Sequence, residues 1–92
     1  MSINGADEKP LFTFPCRYVL KVTAIAAEIT LEALLAIVKF HVPSITATDV
    51  AVKNSSHGKY VSFSISFMAQ NQEQLDGLYR DLTVRKEIVF VL

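Results

Sequence analysis

The chain has 92 residues, 51% of them hydrophobic and 20% charged, with nine Lys and Arg against nine Asp and Glu. That length holds one domain with a modest core, and balanced charge removes any global field that would draw the protein to nucleic acid. Cys16 is the only cysteine, which excludes an internal disulfide framework and any metal site of paired thiolates. No cofactor and no metal are expected.

The first ten residues, MSINGADEKP, are polar and acidic and have no periodicity that could bury a face. They read as a mobile tail, leaving residues 11–92 as a single domain. The tail lacks the basic and apolar regions of a signal peptide, and no run approaches the ~18 apolar residues of a membrane span. The default expectation is a cytoplasmic protein with no membrane contact.

Leu11 to Pro15 supplies aromatics ahead of the first strand, with Phe12 or Phe14 capping one end of the core. From Arg17 to Ala24 the pattern alternates, Tyr18, Leu20 and Val22 against Arg17, Val19, Lys21 and Thr23, which is a half-buried strand. Glu28 to His41 carries Leu31, Leu34, Leu35, Val38 and, beyond it, Val42 at helical spacing, with acidic residues early and Lys39 and His41 late, as the helix dipole favours. Pro43 ends that helix. Thr46 to Lys53 reads as a second strand with Val50 and Val52 inward, and its low apolar content places it at an edge.

Asn54 to Lys59, NSSHGK, is the densest cluster of turn residues in the chain, with Gly58 able to take positive φ. Tyr60 to Ala69 then alternates strictly. Val61, Phe63, Ile65 and Phe67 face one way, and Tyr60, Ser62, Ser64 and Ser66 the other, so this strand belongs in the middle of a sheet. Gln70 to Leu82 places Leu75, Leu78, Tyr79 and Leu82 on one helical stripe behind an Asn71 N-cap. Gly77 inside it costs roughly 1 kcal/mol against Ala, which a close approach of helix to strand would explain. In Glu87 to Leu92, EIVFVL, both alternating sets are apolar.

The order βαββαβ, with two helical crossovers and one hairpin, is that of a ferredoxin-like α+β sandwich with strand order 4-1-3-2 and both helices on one face. The other face is left open, presenting Lys21, Thr23, Tyr60, Ser62, Ser64 and Ser66. This fold hosts many chemistries, each with its own requirements. An RNA-binding module of this shape stacks bases on aromatic rings where this chain has serines. A metal chaperone needs a Cys pair in the loop that here reads Ala24-Ile25-Ala26-Ala27, and a phosphate-cradling enzyme needs glycines and an arginine there. Ser55, Ser56 and His57 adjoin in sequence, which does not make a catalytic dyad in space. Asp81 and Arg80 read as solvated charges. Lys53, just before the turn, is open as an anion contact or as a solvated strand-end lysine.

Val52-Lys53-x-Ser55-Ser56-x-Gly58-x-Tyr60-x-Ser62-x-Ser64-Ile65 resembles the signature of the YbeD-like family, small bacterial proteins grouped as a domain of unknown function. Phe14-Pro15, Lys21-Val22, His41-x-Pro43, Glu73-Gln74-Leu75, Leu78-Tyr79 and Leu82 extend the match over nearly the whole chain. The resemblance implies a ferredoxin-like fold close to ACT regulatory domains, a cytoplasmic location, no established catalytic activity, and a link to lipoate metabolism. The expectation is a non-enzymatic regulatory or adaptor domain that binds a protein partner or a small ligand. Its surface would be Lys53, Ser55, Ser56, Gly58, Tyr60, Ser62 and Ser64. The alternative is a weak nucleic-acid-associated module with a basic stripe of Arg17, Lys21, Lys53 and Lys59. Since one face of the last strand must lie outside the core, either Val89 and Val91 are the edge of a homodimer or the aromatic segment Leu11 to Phe14 folds back over the strand.

Overall fold

A computed structural model describes residues 13–92; the expected tail, Leu11 and Phe12 lie outside the described residues. Four strands and two α-helices follow one another as β1 (Cys16–Ile25), α1 (Leu31–His41), β2 (Val50–Asn54), β3 (Tyr60–Ala69), α2 (Gln72–Thr83) and β4 (Ile88–Val91). The sheet order is β2-β3-β1-β4, the expected 4-1-3-2 seen from the other edge, and every neighbouring pair is antiparallel. β1 and β3 pair along their whole length, from Cys16 opposite Ala69 to Ile25 opposite Tyr60.

That register explains the core. Residues of one parity, Leu20, Val22 and Ala24 on β1 and Val61, Phe63, Ile65, Phe67 and Ala69 on β3, are all buried. They meet Leu34 and Val38 of α1 and Leu75, Leu78 and Leu82 of α2 in one cluster. Full burial of one such side chain contributes about 1.5–3 kcal/mol. Phe14 packs at the margin of this cluster as expected, and Cys16 is a half-buried strand residue.

Several local expectations are corrected. α1 begins at Leu31, where Thr30 Oγ1 accepts from Ala33 N at 3.0 Å; Glu28 belongs to a separate 3-10 turn. Thr46 to Asp49 is a capped turn, not strand, because the Asp49 carboxylate accepts from the Thr46 N–H at 3.0 Å. Val50 is buried but Val52 is 49% exposed, since α2 packs on β3 and β4 and leaves the far edge uncovered. Tyr79 sits at the rim of its helical stripe and is exposed. Ile45, passed over in the periodicity, is 2% exposed and anchors the loop before β2.

β4 departs furthest. Val22 faces Val91, Thr23 faces Phe90, but Ala24 faces Ile88, so Val89 is an extra residue at a bulge. The bulge shifts the phase of the strand. Ile88 and Val91 are therefore buried, and Val89, Phe90 and Leu92 are exposed. Val91, expected with Val89 at an outer edge, lies in the core instead.

Candidate functional site

The uncovered face is built from the other parity of the strands. β2 and β3 put Lys53 opposite Ser62 and Ala51 opposite Ser64; β1 and β3 put Thr23 opposite Ser62 and Lys21 opposite Ser64. Two cross-strand rows result, Lys53–Ser62–Thr23 and Ala51–Ser64–Lys21. With strands about 4.8 Å apart and a two-residue step of about 6.7 Å, the two lysine Cα atoms lie roughly 12 Å apart on a diagonal across the serines.

Between them is a depression of about 290 Å³ lined by Lys21, Lys53, Asn54, Ser55, Tyr60, Ser62 and Ser64. Five of the seven expected surface residues thus meet in one place. Ser56 and Gly58 do not line it; they belong to the turn, where Gly58 has φ +73° and its N–H donates to the Ser55 carbonyl at 3.0 Å. Ser55 ties the turn to the strand, since its Oγ accepts from the Tyr60 N–H at 3.2 Å and its own N–H donates to the Tyr60 carbonyl at 2.9 Å. Ser55 thus serves the backbone of the turn. Tyr60 is exposed at the rim, with Lys59 Nζ 5.5 Å from its ring centre.

Lys21 was legible as an outward residue, but its partnership with Lys53 required the register of three strands. Among the described residues both ion pairs are made by Asp81, and neither Lys21 nor Lys53 takes part in one. Thr23 Oγ1 and Ser62 Oγ are 3.5 Å apart on the same face. A neighbouring depression, toward the start of β1, combines Arg17 with Asp49, Ser64 and Ser66, so a carboxylate interrupts the expected basic stripe at that end.

A second polar cluster sits between the helices. His41 Nε2 and Asp81 Oδ2 are 3.0 Å apart, and Arg85 Nη2 donates to Asp81 Oδ1 at 3.2 Å. The hydrogen bond from His41, then the one from Arg85 and the positive charge of Arg85, hold the Asp81 carboxyl below its ordinary value against the opposing effect of partial burial. Asp81 is therefore not the solvated charge expected of it. Among the described residues no cluster of three or more His, Cys, Asp or Glu side chains could hold a metal, and no helix is long and apolar enough to cross a membrane.

Fold and face together define a ferredoxin-like α+β domain whose outer sheet face carries a polar depression beside exposed apolar residues. The chain belongs to the family described as "Protein of unknown function (DUF493)", whose model matches residues 9–92. It is similar to a UPF0250 protein of Hahella chejuensis, 35% identical over 97% of this chain and 98% of that one. Another UPF0250 protein, from Neisseria meningitidis serogroup C, is 37% identical over 94% of each chain. The solution structure of protein HP0495 from H. pylori superposes with a TM-score of 0.71 over 92% of this chain and 89% of that one, at 17% identity, a likeness of fold. The YbeD-like resemblance read from the hairpin holds at the level of family, which is one of uncharacterised proteins.

Proposed function

We propose that the protein is a non-catalytic cytoplasmic binding domain, regulatory or adaptor in role, that works through the open face of its sheet. One observation carries this: Lys53, Ser55, Tyr60, Ser62 and Ser64 converge with Lys21 and Asn54 on a single concave patch of a face that neither α1 nor α2 covers. Solubility requires polar residues there, not a depression with its side chains gathered at one spot. A non-catalytic role fits Ser55, whose hydroxyl oxygen is engaged by the turn, and an Asp–His pair placed between helices rather than in this depression. The test is an amide chemical-shift map of the labelled chain, taken with fractionated metabolites and proteins of a bacterium that carries a family member. Shifts clustered on Lys21, Lys53, Tyr60, Ser62 and Ser64 support the proposal. Shifts confined to the α1–α2 side refute it, and turnover of a bound compound refutes the non-catalytic part.

A second reading concerns assembly. β4 is an edge strand, and it exposes Val89, Phe90 and Leu92 together. An apolar free edge invites another strand, and the occupant we propose is β4 of a second copy. Sedimentation should give a dimer that Val89→Lys converts to a monomer; a monomeric parent chain at high concentration rejects it.

A further inference from the structure

The chemistry of the depression narrows what it binds. Lysine ammonium groups only donate, while serine and tyrosine hydroxyls and the Asn54 amide can all donate as well. Among the described residues no acidic side chain lines the depression. Every lining side chain can therefore present hydrogen to a ligand, and two of them carry fixed positive charge. A ligand that satisfies this set must bring acceptors and negative charge. The volume, about 290 Å³, lies at the lower end of the range for small-molecule sites.

Resting on the open-face proposal above, we infer that this depression holds a small organic anion, a carboxylate or phosphate compound, whose oxyanion sits over Ser62 and Ser64 between the ammonium groups of Lys21 and Lys53. The diagonal placement matters: the two lysines approach from opposite sides of β3, so one anion engages both, and the hydroxyls of the central strand supply the floor. Charge-assisted hydrogen bonds of this kind are roughly twice as strong as neutral ones. The Tyr60 ring at the rim offers an apolar surface for the remainder of the ligand.

Nucleic acid is the less favoured occupant. Phosphate-backbone binding draws on an extended positive track, and here Asp49 stands beside Arg17 where the track would continue. Base stacking needs rings at the middle of the central strands, where Thr23, Ser62 and Ser64 stand and Tyr60 lies only at the end of β3.

The experiment follows amide shifts of the full chain on addition of inorganic phosphate, citrate or a short single-stranded oligonucleotide, at ionic strength held constant with sodium chloride. Saturable shifts at residues 21, 53, 62 and 64 are expected with phosphate or citrate. Saturation by phosphate alone assigns the phosphoryl form, and by citrate alone the carboxylate form. Lys21→Ala and Lys53→Ala should each weaken binding about tenfold or more, while Lys53→Arg retains it. Both lysines are exposed, so these variants keep the fold. Undiminished binding at the same residues in both alanine variants overturns the anion inference and leaves the open-face proposal standing. Shifts that appear only on other surfaces overturn both. Oligonucleotide binding that spreads to Arg17 and Lys59 and falls steeply with salt overturns the small-anion form in favour of nucleic acid.

Discussion

His41, the last residue of α1, and Asp81, in the last turn of α2, meet at 3.0 Å between Nε2 and Oδ2. Gln74 Nε2 adds a bond to the His41 carbonyl at 2.9 Å, and Arg85 holds the second carboxylate oxygen. The two helices cover the sheet side by side, and this clamp fixes their relative position at the end of α1, where the apolar stripe gives out. An unpaired carboxyl or imidazole there would lose its partner in a partly buried setting, so the members depend on one another.

Asp81→Asn tests the clamp and its pH dependence. The folded-state value of Asp81 is lowered, so its contribution is complete above the ordinary carboxylate range, about pH 4, and is lost as pH falls through the lowered value. With the side chain 29% exposed, solvent screening keeps the loss to about 1 kcal/mol at neutral pH. Urea unfolding of both proteins should show a gap that is widest above about pH 5 and closes in acid. A gap of unchanged width down to pH 2 counts against the carboxylate charge as its source.

Gly77 faces the same histidine. A Cβ added there would lie 3.4 Å from Cε1 and Nδ1 of His41, so the close approach that explains this glycine is helix to helix, not helix to strand. The distance is a tight but ordinary contact. Gly77→Ala should therefore recover part of the roughly 1 kcal/mol of helix propensity, about half, as a higher thermal midpoint. Gly77→Leu has nowhere to put its branch and should lower the midpoint by several degrees. If alanine destabilises as much as leucine, the ring is more rigidly held than the clamp implies.

Capping offers a check on local structure. Asn71 Oδ1 accepts from Gln74 N at 2.8 Å at the start of α2. Asn71→Ala should cost about 1 kcal/mol in urea unfolding, and Asn71→Asp almost nothing, since aspartate caps equally well. Equal losses in the two variants would point to some other role for Asn71.

Where periodicity was strong, the fold could be read directly. β3 buries each of Val61, Phe63, Ile65 and Phe67, and the Asn71 cap, the NSSHGK turn and the strand order follow from residue types that admit few other structures. The candidate site was half legible for the same reason. The serine row is a property of one strand, whereas the pairing of Lys21 with Lys53 exists only across three. The His41–Asp81 bond joins residues forty positions apart, and no local signal distinguishes such a pair from two solvated charges. Thr46 and Asp49 resemble strand residues until their reciprocal bonds are seen, and Ile45 belongs to no periodic stripe.

The bulge in β4 is the sharpest of these departures and the most direct to test. Strict alternation would place Val89 and Val91 on one side of the strand, so truncating either would cost the same. The register instead inserts Val89 opposite the Thr23–Ala24 step, leaving it 46% exposed while Val91 is 4% exposed against Val22. Val91→Ala should thus destabilise by about 2 kcal/mol, as removal of buried methyl groups does, and Val89→Ala by under about 0.5 kcal/mol, as at a surface position. Equilibrium unfolding at a low protein concentration, which separates the folding term from any association through β4, decides the matter. Equal costs for the two truncations would restore the unbroken strand and return Val91 to the outer edge.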